Sequence, residues 1–186
     1  MSDIEQASKI ETLTGFYELV FPIFSDSRGF FRTWYSDTSI NLLGIKFKAM
    51  QSNISRSKKG AVRGIHFSDP SYEQSKIITC IQGVIADVSV DLRKDSVSFG
   101  KHSEIILSAE AGNSAFISHG LGHAFEVLSE EATVVYLLSS EWNPKLEYQI
   151  YPLDSDLDIH WNTKEPIISD KDRNGQAFRD FNNLLK

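Results

Sequence analysis

Between Gly15 and about residue 160, apolar positions recur in short β-branched or aromatic runs broken by polar turns, and few stretches hold a helical period. The clearest run is Val84–Leu92, where Val84, Ala86, Val88, Val90 and Leu92 fall on one face of a strand and Asp87, Ser89 and Asp91 on the other. Such a strand packs one face and carries polar groups on its reverse. Strands are also predicted over Glu18–Phe24, Phe30–Tyr35, Phe47–Ile54, Lys76–Ile81, Glu104–Leu107, Ser114–Ile117, Ala124–Leu128, Thr133–Leu138 and Tyr148–Tyr151. The turns between them carry Gly15, Ser27-Arg28-Gly29, Gly60, Gly83, Gly112-Asn113 and Asn143-Pro144, residue types suited to chain reversal. Helical spacing is confined to Ser36–Leu43 and to Phe178, Phe181 and Leu185 near the C-terminus. The pattern predicts an all-β sandwich or barrel with short peripheral helices, one of them C-terminal.

Composition narrows the class. A chain of 186 residues without a long polar or Gly/Ser-rich linker reads as one domain over residues 1–186, and 41% hydrophobic residues supply a core that needs no staples. Cys80 is the single cysteine and stands among Ile78, Thr79 and Ile81, the setting of a buried, reduced thiol. Residues 1–14 are polar and no later apolar run approaches the roughly 20 residues of a membrane span, so a cytoplasmic protein with no membrane contact is expected. A net charge of −6 argues against broad nucleic-acid binding, although local basic clusters can still hold a small anion.

Candidate chemistry concentrates in two places. The stretch from Gln51-Ser52-Asn53 to His66 combines amides, the cations Arg56, Lys58, Lys59 and Arg63, and a histidine between Ile65 and Phe67. A histidine that titrates near neutrality suits general base catalysis when a carboxylate orients it, while a core histidine bonded to backbone fits the same flanks equally well. The second place is Ser118-His119-Gly120-Leu121-Gly122-His123-Ala124-Phe125, in which His123 and Phe125 share a strand face and His119 reads as a solvated loop residue. Gly60 to His66, followed by Gly120-Leu121-Gly122-His123, resembles the two motifs of the cupin superfamily of double-sheet jelly rolls. Ser68 stands where a metal-binding cupin carries its second histidine. Glu73 with His66 and His123 remains an alternative two-histidine, one-carboxylate set, with Lys76 a competing cation beside it.

Over nearly its whole length the chain resembles the dTDP-4-keto-6-deoxyglucose 3,5-epimerases. The resemblance is carried by Asp26-Ser27-Arg28-Gly29-Phe30-Phe31, Gln51-Ser52-Asn53, Arg63-Gly64-Ile65-His66-Phe67 and Gln74-Ser75-Lys76, and then by Gly83, Asp87 and Val90-Asp91-Leu92-Arg93-Lys94-Asp95-Ser96. It continues through Phe99-Gly100, His119–Phe125, Tyr136, Asn143-Pro144, Glu147, Trp161 and Ser169-Asp170-Lys171-Asp172. It implies a cupin-type jelly-roll homodimer, working without metal or organic cofactor, that inverts carbons beside the ketone of a nucleotide-linked 4-keto sugar. The C4 carbonyl makes the neighbouring protons removable as an enolate, so only proton transfer and charge stabilisation need be supplied. By resemblance His66 is the base, Asp172 sets its tautomer, Tyr136 donates from the opposite sugar face and Lys76 stabilises the enolate oxygen. Gln51, Asn53, Arg63, His123, Glu147 and Lys171 fall on substrate-binding positions, and Arg28 and Phe31 on a segment that reaches across the dimer to the nucleotide.

Two departures bear on specificity. Thr33 replaces a glutamate usual in the family, which opens nucleotide preference to a CDP-linked sugar, and Trp142 replaces a tyrosine before Asn143-Pro144. Indole donates a hydrogen bond but does not ionise near neutral pH, so a single-centre epimerase is one expectation. A metal-dependent cupin and a non-catalytic sugar-binding cupin are the competing classes.

Overall fold

The structure is a computed structural model, and it is described over residues 7–181. Its strands are β1 (Ser8–Leu13), β2 (Phe16–Val20), β3 (Ile23–Asp26), β4 (Gly29–Arg32), β5 (Gln51–Lys58), β6 (Val62–Ser68), β7 (Lys76–Gln82), β8 (Val84–Asp91), β9 (His102–Ser108), β10 (Ser114–Ile117), β11 (Leu121–Val127), β12 (Glu131–Leu138) and β13 (Glu147–Gln149). Two short helices, α1 (Asp37–Leu42) and α2 (Asp170–Arg173), complete the regular structure together with a 3-10 turn at Phe178–Asp180. A six-stranded sheet runs β1-β2-β10-β7-β12-β5 and a five-stranded sheet β13-β6-β11-β8-β9, while β3 and β4 form a separate hairpin. The all-β sandwich expected from the strand rhythm is present, in the double-sheet jelly-roll form that the cupin resemblance implies. Among the described residues no helix is long and apolar enough to cross a membrane.

Three apolar layers follow from strand alternation. Residues of both sheets, among them Phe16, Ile78, Cys80, Val134, Ile85, Leu107, Phe125 and Val127, fill the space between them. Outside the six-stranded sheet, Ile40 and Ile45 join Leu19, Phe47, Ile77 and Leu137. Outside the five-stranded sheet, Ile150, Leu157 and Phe181 cover Ile65, Phe67, Val90, Leu92 and Ala124. The two faces of β8 divide as the alternation predicts, with Val90 and Leu92 packed beneath the C-terminal segment and Asp87, Ser89 and Asp91 on the reverse face, but that polar face is fully buried as well. On β7 and β12 the inward face changes character along the strand, from Cys80 and Ile78 to Lys76 and from Ala132 and Val134 to Tyr136. One end of the sandwich is thus plugged by apolar side chains and the other is lined with polar ones.

Several boundaries differ from expectation for identifiable reasons. Glu18–Phe24 is divided between β2 and β3 at Pro22, which has no N–H for the ladder. Phe30–Tyr35 stops at Arg32, and Phe47–Ile54 begins only at Gln51 because Phe47 packs in the outer cluster instead. The mostly polar, exposed β1 and the glycine-interrupted β6 have no clean alternation to reveal them. Ser36 caps α1 by accepting from the Ser39 N–H, which sets the start of the predicted Ser36–Leu43 helix. At the C-terminus Phe178 lies in the 3-10 turn, and Leu185 falls outside the described residues.

Candidate active site

The polar end of the sandwich opens into a cavity of about 480 Å³. From β6 it receives Arg63 and His66, which sit three residues apart and would face opposite ways on a regular strand. They share a face because the register slips: Arg63 to His66 on β6 oppose only Phe125 to His123 on β11. Gly64 makes the slip possible, with φ +124°; a Cβ there would lie 2.5 Å from the His123 carbonyl oxygen and 2.6 Å from Ala124. His66 and His123 become cross-strand neighbours, and each ring has its own carboxylate.

His66 Nε2 lies 2.6 Å from Asp172 Oδ1. Asp172 arrives on α2, whose cap Ser169 accepts from the Asp172 N–H at 3.1 Å. The segment before α2 is tied to the start of β6 and the turn ahead of it by Val62 N–H to Ile167 O at 3.0 Å and Ile167 N–H to Gly60 O at 2.8 Å, and the segment after α2 is tied to β13 by Gln176 N–H to Gln149 O at 3.1 Å. Burial works to raise the Asp172 carboxyl, but the His66 ring together with hydrogen bonds from Ser169 and Gly64 outweighs it and holds the group below its ordinary value. An Nε2–H donated to this carboxylate leaves Nδ1 as the proton acceptor of the His66 ring.

His123 Nε2 lies 2.8 Å from Asp87 Oδ2, and burial lowers the histidine against the opposing pull of that carboxylate. Asp87 Oδ1 is buried without a hydrogen-bond partner among the described residues. Sequence reasoning gave Asp87 no role; the available signal was a carboxylate on the strand face shared with other polar groups. Lys76 faces the same space with no ion-pair partner within 4 Å among the described residues. Burial drives its ammonium below the ordinary value and Lys171 adds to the effect, against the attraction of Glu147 and Asp87. Tyr136 projects from β12, and burial raises its phenol despite Arg63, which keeps the hydroxyl protonated at neutral pH.

The remaining positions divide. Gln51, Asn53, Trp142, Glu147 and Lys171 line the cavity. Lys171 Nζ pairs with Glu147 Oε2 at 2.5 Å, and Arg63 Nη1 donates to Ser57 Oγ at 3.3 Å. Burial would raise the Glu147 carboxyl, but Lys171 and Trp142 hold it low. Gln74, Phe125 and Ser169 also line the space. Arg28, Phe31 and Thr33 do not: Arg28 binds Asp26 on the β3–β4 hairpin, Phe31 is 69% exposed there, and Thr33 is exposed just beyond β4. Glu73 is likewise outside the cavity, so the alternative set with His66 and His123 does not assemble.

Residues 11–180 match the family model for dTDP-4-dehydrorhamnose 3,5-epimerase. A protein of that name from Shigella flexneri is 39% identical over 159 residues, 85% of this chain and 88% of the relative. A dTDP-4-dehydro-6-deoxyglucose 3-epimerase from Streptomyces bikiniensis is also 39% identical, over 154 residues, 82% of this chain and 79% of the relative. A dTDP-6-deoxy-D-glucose-3,5-epimerase from Legionella pneumophila, solved in complex with dTDP-4-keto-L-rhamnose, superimposes with a TM-score of 0.91 at 31% identity and covers 97% of each chain.

Proposed function

This chain belongs to the dTDP-4-dehydrorhamnose 3,5-epimerase family of cupin-type jelly rolls, and we propose on that premise that the cavity epimerises a dTDP-linked 4-keto-6-deoxyhexose beside its ketone. The observation that carries the reading is the meeting of a His66–Asp172 pair, the half-buried phenol of Tyr136 and the ammonium of Lys76, which has no ion-pair partner among the described residues, in one cavity. His66 removes a proton from a carbon flanking C4, and Asp172 fixes the ring tautomer and stabilises the imidazolium that forms. Charge moves to the C4 oxygen, where Lys76 offsets it; a lysine with a lowered pKa is also a stronger hydrogen-bond donor to an enolate. Tyr136 returns a proton to the opposite face of the same carbon, since a single base would only restore the starting configuration. Arg63 and Lys171 supply positive charge for the diphosphate.

The Arg28–Phe31 hairpin completes a second copy's site in this reading. It projects Phe24, Phe30 and Phe31 at 46, 60 and 69% exposure, an apolar surface suited to burial in a homodimer. Trp142 at the cavity wall favours restriction to one inverted centre, and relatives of both the 3,5- and the 3-epimerase kind match at the same identity. The test is incubation in deuterated water with dTDP- and CDP-linked 4-keto-6-deoxyglucose, followed by NMR. Deuterium at C3, C5 or both of the dTDP sugar is expected, and the labelled positions count the centres. Absence of exchange with either sugar would sink the proposal.

A further inference from the structure

Three successive residues in the turn between β12 and β13 each have a backbone group held by a side chain from elsewhere. Gln74 Nε2 donates to the Ser140 carbonyl at 3.3 Å, the Tyr72 hydroxyl donates to the Glu141 carbonyl at 2.6 Å, and the Trp142 N–H donates to Gln51 Oε1 at 2.8 Å. The holders are themselves fixed. Gln74 Oε1 accepts from Ser68 Oγ at 3.3 Å, and Gln51 Nε2 donates to Asn53 Oδ1 at 2.8 Å. Irregular turns ordinarily leave their backbone groups to water and move accordingly. This one is cradled from β5 and from the segment leading into β7.

What the cradle presents is Trp142, half exposed and lining the cavity beside Glu147. A large amphipathic ring orients a ligand well only if its backbone cannot swing, because a mobile wall discriminates poorly between sugar poses. Gln51, meanwhile, commits one amide hydrogen to Asn53 and one carbonyl lone pair to the Trp142 N–H, half of its hydrogen-bonding capacity, within the protein.

We propose that Gln51 is a positioning residue for Trp142, and that with Tyr72 and Gln74 it holds the indole as a specificity-determining wall against the nucleotide-linked sugar. The second half rests on the sugar-nucleotide reading; the first does not. Gln51→Met keeps the length of the side chain and removes both polar ends, whereas Gln51→Glu keeps an acceptor for the Trp142 N–H.

Acrylamide quenching of tryptophan fluorescence in the substrate-free protein tests the holding role, with Trp142→Phe giving the baseline from Trp34 and Trp161. Gln51→Met raises quenching of the Trp142 component and Gln51→Glu restores it to the wild-type value. Unchanged quenching in Gln51→Met, or no rescue by Gln51→Glu, would overturn the role. The specificity wall is tested by a cycle of KM values for the dTDP-linked 4-keto sugar. Gln51→Met raises KM about fivefold with kcat nearly unchanged, the loss of one net hydrogen bond, yet leaves KM unaltered on a Trp142→Ala background. The same fivefold rise on that background would mean that Gln51 reads the substrate directly. Should the wild-type protein turn over no such sugar, the sugar reading fails and the quenching result alone decides whether Gln51 holds Trp142.

Discussion

At the scale of single residues, the chemistry depends on pairs that lie far apart in sequence. His66 and Asp172 were each visible, one as a histidine in a basic stretch and the other as part of a family segment, but nothing in residue spacing brings positions 66 and 172 within 2.6 Å. Asp87 illustrates the opposite case, since its parity on β8 was legible and only its partner His123 was not. Asp172→Asn should reduce kcat by roughly two to four orders of magnitude while changing KM little, because tautomer control matters most as the proton moves. Its carboxyl is held below the ordinary value of 3.8 in the fold, so the stabilisation it contributes is complete above that value and is lost as pH falls beneath it. Urea midpoints of wild type and Asp172→Asn should therefore converge as pH is lowered from about 4; a gap that widens in acid would contradict the assigned direction.

At the scale of elements, period-two alternation identified most strands and failed where function interrupts it. β6 carries Arg63, Gly64 and His66 with a register slip, which spoils the alternation that would have revealed the strand and at the same time turns both polar side chains into the cavity. Gly64→Ala places a methyl 2.5 Å from the His123 carbonyl oxygen. The variant should lose about 1–3 kcal/mol of stability, read as a lower Tm, and most of its activity with it. α2 was missed as a helix because four residues are too few for a periodic signature. Removing its cap in Ser169→Ala should cost about 1 kcal/mol and lower kcat more than it raises KM, as measured by steady-state kinetics beside thermal unfolding; an unaltered kcat would show that Asp172 is placed without the cap.

At the scale of the whole molecule, the all-β sandwich or barrel followed from the rhythm of short strands and its jelly-roll form from the cupin resemblance, whereas the polar lining of one end of the sandwich followed from neither. Strands such as β7 and β12 pass from apolar plug to polar cavity within one inward face, and only the packed sheets show where that change falls. The hairpin bearing Arg28 and Phe31 lies away from the cavity of its own chain, so a site that uses it must draw it from another copy. Mixed dimers of Arg28→Ala and His66→Asn should then regain activity that neither parent shows, since one of the two sites is intact; a mixture as inactive as its parents would contradict the passage of Arg28 into a second copy's site. What the assembled cavity must deliver is a proton acceptor on one face of the sugar and a proton donor on the other. The most direct measurement is deuterium incorporation into the dTDP-linked 4-keto sugar by Tyr136→Phe and His66→Asn, compared by NMR with wild type. Tyr136→Phe is expected to wash deuterium into the flanking carbon without inverting it, and His66→Asn to incorporate none. Near-wild-type incorporation by His66→Asn would contradict the assignment of His66 as the base.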